Sequence, residues 1–298
     1  MTPVHIIGRG AIGLLLANKL TQHTQVTLIT RDEVIDDYHL IDNEKSHKIP
    51  VNQTTFDALR SKITHCIVPV KAYQLSQAIH ALIPHLHDDA NIILSHNGMS
   101  DLSEVNQLLK PNQGLYFLST SMGGMKPLAN TVKYTGAGLT QIGACNKVAQ
   151  IRLPNLFQEL IQPCLSQAHL VDNINEIRWQ KLCVNIAINP LSALLQCKNG
   201  KLRAPAYARQ VLSLLNEACF VAELDGVELK LSSELMRAYQ VMKLTAANNS
   251  SMAQDIKLRR RTEIDAICGF IVSRANKHGV SVPENEWMWQ QIKQKERV

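Results

Sequence analysis

The sequence predicts two domains in tandem: an α/β domain built on a doubly wound, largely parallel sheet, then an all-α domain. Three observations carry this. The apolar run Val4-His-Ile-Ile7 leads through Gly8-Arg-Gly-Ala-Ile-Gly13 straight into a leucine-rich helical run. Strand-like runs then alternate with helical ones to about residue 172, the pattern of strands joined by crossover helices. From about residue 173 the strand-like runs stop and helical periodicity takes over. The boundary is therefore drawn between residues 1–172 and 173–298.

A length of 298 residues suits one large or two medium domains, and 45% hydrophobic with 19% charged residues is ordinary for a globular chain. The formal charge is 31 − 25 = +6, which suits an anionic small ligand as well as it suits nucleic acid. Aromatic content is only 5%, without the aromatic–basic interleaving that stacks bases, so no nucleic-acid partner is expected. The basic run of residues 257–261 lies in a helical pattern and is expected to form a solvated face. Seven cysteines, with no Cys-x-x-Cys, suggest neither a disulfide framework nor a zinc site. No metal-ligand spacing such as His-Glu-x-x-His occurs. There is no charged leader with a cleavage site and no apolar run of about 18 residues. The expectation is a soluble, cytoplasmic protein with a small-molecule partner and no membrane partner. Monomer and homodimer both stay open, because an exposed apolar helix face reads like core.

Taken in order, the glycine motif follows a strand and opens a helix, the context that gives it meaning. Gly8 permits a tight turn, Gly10 leaves room for a pyrophosphate, and Gly13 lets helix and strand approach; the helix N-terminus offers free N–H groups to the anion. The next strand covers residues 25–30. Its tip carries Arg31, which suits the 2′-phosphate of NADP(H), followed by Asp32, the residue type that suits a ribose hydroxyl. Residues 33–62 read as polar and irregular. A strand at 63–70 runs into Lys71-Ala-Tyr-Gln74, which opens a helix through Ile83. A strand at 91–96 ends in Asn97-Gly-Met99. Lys71 and Asn97 thus fall at strand C-terminal edges, where such sheets bind ligands. Residues 115–120 continue the sheet, 132–143 read as an antiparallel hairpin, and a helix at 151–162 with a strand at 169–171 closes the domain. Helices are then expected at 174–189, 191–196, 205–225, 232–246, 253–258, 262–279 and 284–296, with Gly226 and Gly279 as stops.

The stretch 174–200 stands out. Ile177, Leu182, Val184, Ile186, Ile188 and Leu191 make it an apolar rod, yet Lys181, Asn185 and Asn189 recur every four residues and share one face. Such a row faces either water or a polar cavity, since buried polar groups need partners. Pro190 is expected to kink or break the helix. Ser251-Met-Ala-Gln254 fits a capping box, so Ser251 reads equally as an N-cap, and Glu263 equally as a residue that complements a helix dipole.

These segments together resemble the ketopantoate reductase (2-dehydropantoate 2-reductase) family. The resemblance rests on Gly8-Arg-Gly-Ala-Ile-Gly13, Val70-Lys-Ala-Tyr-Gln74, His96-Asn-Gly-Met99, the run Trp179-Gln-Lys-Leu-Cys-Val-Asn-Ile-Ala-Ile-Asn-Pro-Leu191, Cys197-Lys-Asn-Gly200, Asn248-Asn-Ser-Ser-Met252, Arg261-Thr-Glu-Ile-Asp265 and Gly279-Val-Ser-Val-Pro-Glu-Asn285. They cover nearly the whole chain in order. The resemblance implies a Rossmann-type domain followed by a helical domain of the 6-phosphogluconate dehydrogenase C-terminal type, with the site in the cleft. It implies NADPH-dependent reduction of 2-dehydropantoate to (R)-pantoate in pantothenate biosynthesis. Lys181 would be the acid, with Glu263 beside it. Lys181, Asn185, Asn189, Asn199, Asn248 and Ser251 would contact substrate. Gly8, Arg9, Gly10, Ala11, Ile12, Gly13, Arg31, Lys71, Gln74, Asn97, Gly124 and Glu263 would contact NADPH/NADP. The chain departs from the family pattern at Ser121-Met-Gly-Gly124, where some relatives carry Thr-His-Ala-Ala.

Overall fold

A computed structural model of the chain describes residues 2–31, 37–165 and 167–297. The chain forms two compact units: Met1–His96 with Asp101–Ile174, and Asn97–Ser100 with Asn175–Val298.

The first unit contains β1 (Val4–Ile7), α1 (Ala11–Leu20), β2 (Val26–Ile29), β3 (Tyr38–Asp42), β4 (Lys45–Ile49), β5 (Asn52–Thr54), β6 (Ile63–Val68), α2 (Leu75–Leu82), β7 (Leu86–Leu94), α3 (Leu102–Gln107), β8 (Gly114–Thr120), β9 (Gly123–Leu128), β10 (Thr131–Gly136), β11 (Thr140–Ala144), α4 (Lys147–Leu156), α5 (Gln162–Cys164) and β12 (Ala168–Leu170). Its main sheet has the order β12-β11-β8-β7-β6-β1-β2-β5. β1 pairs in parallel with both β2 and β6, so the order reverses there and the crevice beyond the end of β1 is the switch point. Among the described residues only the β11–β8 pair of this sheet is antiparallel. The predicted α/β class is borne out.

A second sheet, β4-β3-β10-β9, was not legible as such in the sequence. It packs on α1, which also contacts β1 and β2. Leu14, Leu15, Leu16, Ala17 and Leu20 are therefore all buried, as in a helix covered on several sides. Two expectations are corrected here. Residues 33–62 are not irregular throughout, since they hold β3, β4 and β5. Residues 132–143 are not a hairpin: β10 pairs with β9 and β3, while β11 pairs with β8 and β12 in the other sheet. Gly138, at φ +60° and pressed on the Ser121 backbone, carries the chain from one sheet to the other. Asp32 lies outside the described residues.

Two of the main sheet's histidines, on β1 and β6, are drawn out of solvent. His5 on β1 is buried, and His65 on β6 shares a 3.3 Å hydrogen bond with the Asn91 amide. Burial holds both below the usual imidazole pKa. A group whose folded pKa is depressed stays neutral while the unfolded chain protonates, so stability is lost as pH falls below the unfolded value near 6.5. The melting temperature should drop between about pH 7 and about pH 5, and His65→Gln should flatten that slope. An equal slope in the variant would remove His65 from the account.

The second unit holds α6 (Ile174–Leu195), α7 (Ala208–Leu224), α8 (Leu231–Leu244), α9 (Ser251–Lys257), α10 (Cys268–His278) and α11 (Pro283–Glu296), with 3-10 turns between α6 and α7 and between α9 and α10. Its core takes Trp179, Ile186 and Leu191 from α6, Leu214 and Ala218 from α7, Ile271 from α10, and Met288 and Ile292 from α11. Gly226 and Gly279 follow α7 and α10 with positive φ, as expected of helix stops. Asn285 and Glu284 at the start of α11 donate backbone N–H groups to the Glu217 carboxylate at 2.8 and 2.9 Å, an anion placed on a helix N-terminus.

Pro190 neither ends nor splits α6, which runs through it to Leu195. A proline inside a helix costs about 3 kcal/mol, whereas each large apolar side chain buried is worth about 1.5–3 kcal/mol. Ile186, Ile188 and Leu191 are all buried around it, so packing wins. The turn back toward Asn199 is made instead by Gln196, at φ +48°, with the Cys197 N–H donating to Ser192 O at 3.1 Å. The basic run also moves: α9 stops at Lys257, and residues 258–261 form the link beyond it, with Arg260 paired to Asp255 and Arg261 to Asp265.

Candidate functional site

In the first unit the glycine loop follows β1 directly. Gly8 has φ +90°, and its N–H donates to Ile29 O on β2 at 2.9 Å. A Cβ on Gly13 would stand 3.0 Å from Gly8 O and 3.3 Å from Pro69 Cγ, so glycine is what lets α1 start this close to the strand ends. Gly10 caps α1 without any side-chain hydrogen bond, and the first turn carries no acid. A Cβ there would meet Pro69 O only at ordinary contact distance. Arg9, Gly10, Ala11 and Ile12 all retain exposed surface. A helix N-terminus whose first N–H groups no side chain caps fits a diphosphate. Arg31 is exposed just beyond β2. Lys71 sits just before the 3-10 turn Ala72–Gln74, with the Gln74 N–H donating to Lys71 O at 2.8 Å. Lys71 and Gln74 thus follow β6 at the same strand ends as the loop. Gly124 has a packing reason of its own: a Cβ there would come within 2.7 Å of Leu15 Cδ1 and 3.3 Å of Ala11 Cβ, so it lets β9 lie on α1.

In the second unit the polar row lies on α6 as the spacing predicts. Lys181 keeps some open surface, but its ammonium is set deep enough that desolvation, partly offset by the Glu263 carboxylate, brings its pKa down to about 8. Glu263 is itself buried, at 5% exposure. It lies in the turn before Ile264–Ala266, not in the first turn of an α-helix, since α10 begins only at Cys268. The expected helix from 262 is corrected accordingly. Thr262 is the anchor of that turn: its N–H and hydroxyl both donate to Glu296, at 2.7 and 2.6 Å.

The tetrapeptide Asn97–Ser100 belongs to this unit, whereas the sequence placed Asn97-Gly98-Met99 at the end of a sheet strand. The Met99 N–H donates to Ala266 O at 2.7 Å and Arg178 of α6 donates to Ser100 O at 3.0 Å. A Cβ on Gly98 would collide with the Ala266 backbone. This clamp brings the Asn97 amide to 3.5 Å from Glu263 Oε2. Asn97, Glu263 and Lys181 therefore form one linked group.

Further along α6 the Asn189 amide donates to Asn185 Oδ1 at 3.3 Å, while Asn185 Nδ2 is buried and without a protein partner. Asn199, at 6% exposure, donates its amide to Thr245 Oγ1 at 3.0 Å and its backbone N–H to Asn248 O at 3.0 Å, leaving Oδ1 buried and unmatched. The Asn185 amide is thus a buried donor and Asn199 Oδ1 a buried acceptor without a protein partner, which buried polar groups rarely are. Ser251 is exposed and is not the N-cap of α9. Ser250 is, accepting from the Ala253 N–H at 3.0 Å. Ser250 also accepts from Ser192 of α6 at 2.7 Å, and Ser192 reaches Asn189 O at 3.1 Å, so Ser251 is tied to the row through its neighbour. Sequence reasoning missed Ser192, Ser250 and Thr245. The capping signature was present but shifted by one residue, and buried hydroxyl pairs leave no spacing to find.

The model of the family "Ketopantoate reductase PanE/ApbA" matches residues 4–147, and that of "Ketopantoate reductase PanE/ApbA C terminal" matches residues 173–296. The chain is 32% identical over 289 residues to the 2-dehydropantoate 2-reductase of Vibrio cholerae, covering 97% of this chain and 96% of that one. Among solved structures it is similar to the Bacillus subtilis protein described as a probable 2-dehydropantoate 2-reductase, with TM-score 0.84 at 27% identity over 98% and 99% of the two chains. It shares its fold with D-mandelate dehydrogenase in complex with NADH and anilino(oxo)acetate, with TM-score 0.92 at 23% identity over 99% of each chain. Among the described residues no helix is long and apolar enough to cross a membrane.

Proposed function

We propose that this chain, which belongs to the ketopantoate reductase family, reduces the C2 ketone of 2-dehydropantoate to (R)-pantoate with NADPH, residues 1–172 holding the cofactor and 173–298 the substrate. Bound NADPH would supply the hydride to C2. The chain's own residues do the rest. Carbon–hydride bond formation leaves an alkoxide at the ketone oxygen, which needs a proton and charge stabilisation. The Lys181 ammonium supplies both and is left as a neutral amine, to be reprotonated from solvent. Glu263 keeps that ammonium charged at neutral pH against the desolvation that lowers its pKa. The Asn185 amide is the donor for the substrate carboxylate, with Asn189 holding it in place, and Asn199 Oδ1 is the acceptor for the substrate hydroxyl. Asn248 and Ser251 close the same set. Gly8, Arg9, Gly10, Ala11, Ile12 and Gly13 form the pyrophosphate cradle. Gln74 and Asn97 are cofactor contacts, and Arg31 and Lys71 hold the 2′-phosphate; Gly124 is assigned only to the packing of β9.

The observation that carries the proposal is a lysine with a pKa of about 8, paired with a buried carboxylate, on a helix face that otherwise offers neutral amides. The protein and NADPH incubated with a panel of 2-oxo acids should show the largest kcat/KM with 2-dehydropantoate. A preference for an aromatic 2-oxo acid lacking the hydroxyl would replace the substrate while leaving the chemistry standing. Arg31→Ala should weaken NADPH on the order of tenfold while NADH is unchanged, as expected for the loss of one charge-assisted contact. Equal losses for both dinucleotides in equilibrium titrations would remove Arg31 from the 2′-phosphate.

A further inference from the structure

The geometry points to Lys126 as a further phosphate-binding residue of the dinucleotide site, one that grips the pyrophosphate from the second sheet. This rests on the reading of the glycine loop as a cofactor cradle. Lys126 lies on β9, which the close approach of Gly124 to Ala11 and Leu15 lays along the first turns of α1. Its Nζ donates to Arg9 O at 2.8 Å. That carbonyl belongs to the peptide leading into Gly10, the residue that caps α1. The ammonium therefore stands one peptide unit from the N–H groups to which a diphosphate would bind.

The placement is electrostatically costly in the unliganded protein. Lys126 is half-buried, and no carboxylate among the described residues lies within ion-pair distance of it. Desolvation lowers its pKa, and the neighbouring Arg9 guanidinium lowers it further. An ammonium that only tied a hairpin to a loop would gain one neutral acceptor at the expense of partial dehydration and like-charge repulsion. A phosphate beside it reverses both terms, because the ammonium then gains a charge-assisted bond and the repulsion is screened. The pyrophosphate is favoured over the 2′-phosphate by position. The pyrophosphate belongs at the glycine-capped helix N-terminus, and the 2′-phosphate at the tip of β2, where Arg31 stands.

The test uses Lys126→Met, which keeps the apolar stem and drops the charge, and Lys126→Arg, which keeps the charge. Equilibrium titrations are run with NADPH, NADH and adenosine 2′-monophosphate, alongside melting of each unliganded variant. Lys126→Met should weaken NADPH and NADH alike, on the order of tenfold, and flatten the salt dependence of both. Adenosine 2′-monophosphate should bind as before, and Lys126→Arg should recover most of the loss. Unchanged NADPH affinity in Lys126→Met would overturn the proposal and leave Lys126 a structural tie. So would a loss seen with NADPH and adenosine 2′-monophosphate but not with NADH, which would move Lys126 to the 2′-phosphate. If Lys126→Met melts early, Lys126→Arg decides: wild-type stability with unimproved affinity counts against it. Wild-type protein that binds neither dinucleotide is a different result, and would end the reading of the glycine loop itself.

Discussion

Replacing Lys181 with alanine is expected to lower kcat on the order of a hundred- to ten-thousand-fold, the range for loss of a positioned general acid, while the dissociation constant for NADPH changes little. The split follows from where the groups lie. The proposed cofactor cradle is built by β1, α1 and the turn after β6, whereas Lys181 is on α6 in the other unit. Losing the ammonium removes both the proton and the charge that meets the developing alkoxide, so the effect falls on turnover. Steady-state kinetics with 2-dehydropantoate, paired with fluorescence titration of NADPH, checks both halves. Turnover near the wild-type level would remove Lys181 from the chemistry. A matching collapse of NADPH affinity would make its role structural.

Glu263→Gln is expected to move the pH dependence as well as the rate. The active form of Lys181 is the ammonium, so kcat/KM should be highest below its pKa of about 8 and fall as pH rises through it. Glu263 is the interaction that raises that pKa against desolvation. Without the carboxylate the pKa drops further and the descending limb shifts to lower pH. The variant should lose activity at neutral pH and recover part of it in mildly acidic buffer. Asn97, which donates to Glu263 Oε2, can still bond the glutamine carbonyl, so the geometry should survive. An unshifted limb with a uniformly lower rate would mean that Glu263 acts by position alone.

The parts of the fold read correctly from the sequence are those written in local pattern. A strand, a glycine turn and an apolar helix lie within the first twenty residues, and the four-residue spacing of Lys181, Asn185 and Asn189 puts them on one helix face. What escaped was non-local. β4 reads Lys-Ser-His-Lys-Ile and buries only Ile49, so it has no alternation to show, and its sheet is completed by β10, more than eighty residues further on. Asn97-Gly98-Met99 looked like the end of a sheet strand because nothing nearby reveals Ala266 O, the acceptor that claims it for the helical unit. Pro190 was read by its local cost, and packing around Ile186 and Leu191 outweighed it. In the candidate site, residue types and spacing suggested Lys181 and its asparagines. Glu263 came from the family resemblance, whereas its burial and the hydroxyl chain from Ser192 to Ser250 depend on contacts that only the folded chain makes.

The central claim is that Lys181 protonates the ketone oxygen during NADPH-dependent reduction of 2-dehydropantoate. The pH profile of kcat/KM for that reaction, followed by loss of NADPH absorbance, tests it most directly. Measurable turnover is expected, with a single descending limb near pH 8, where the Lys181 ammonium gives up its proton. Turnover that stays level up to the alkaline range of an ordinary lysine, or no NADPH consumption by a protein that binds NADPH, would contradict it.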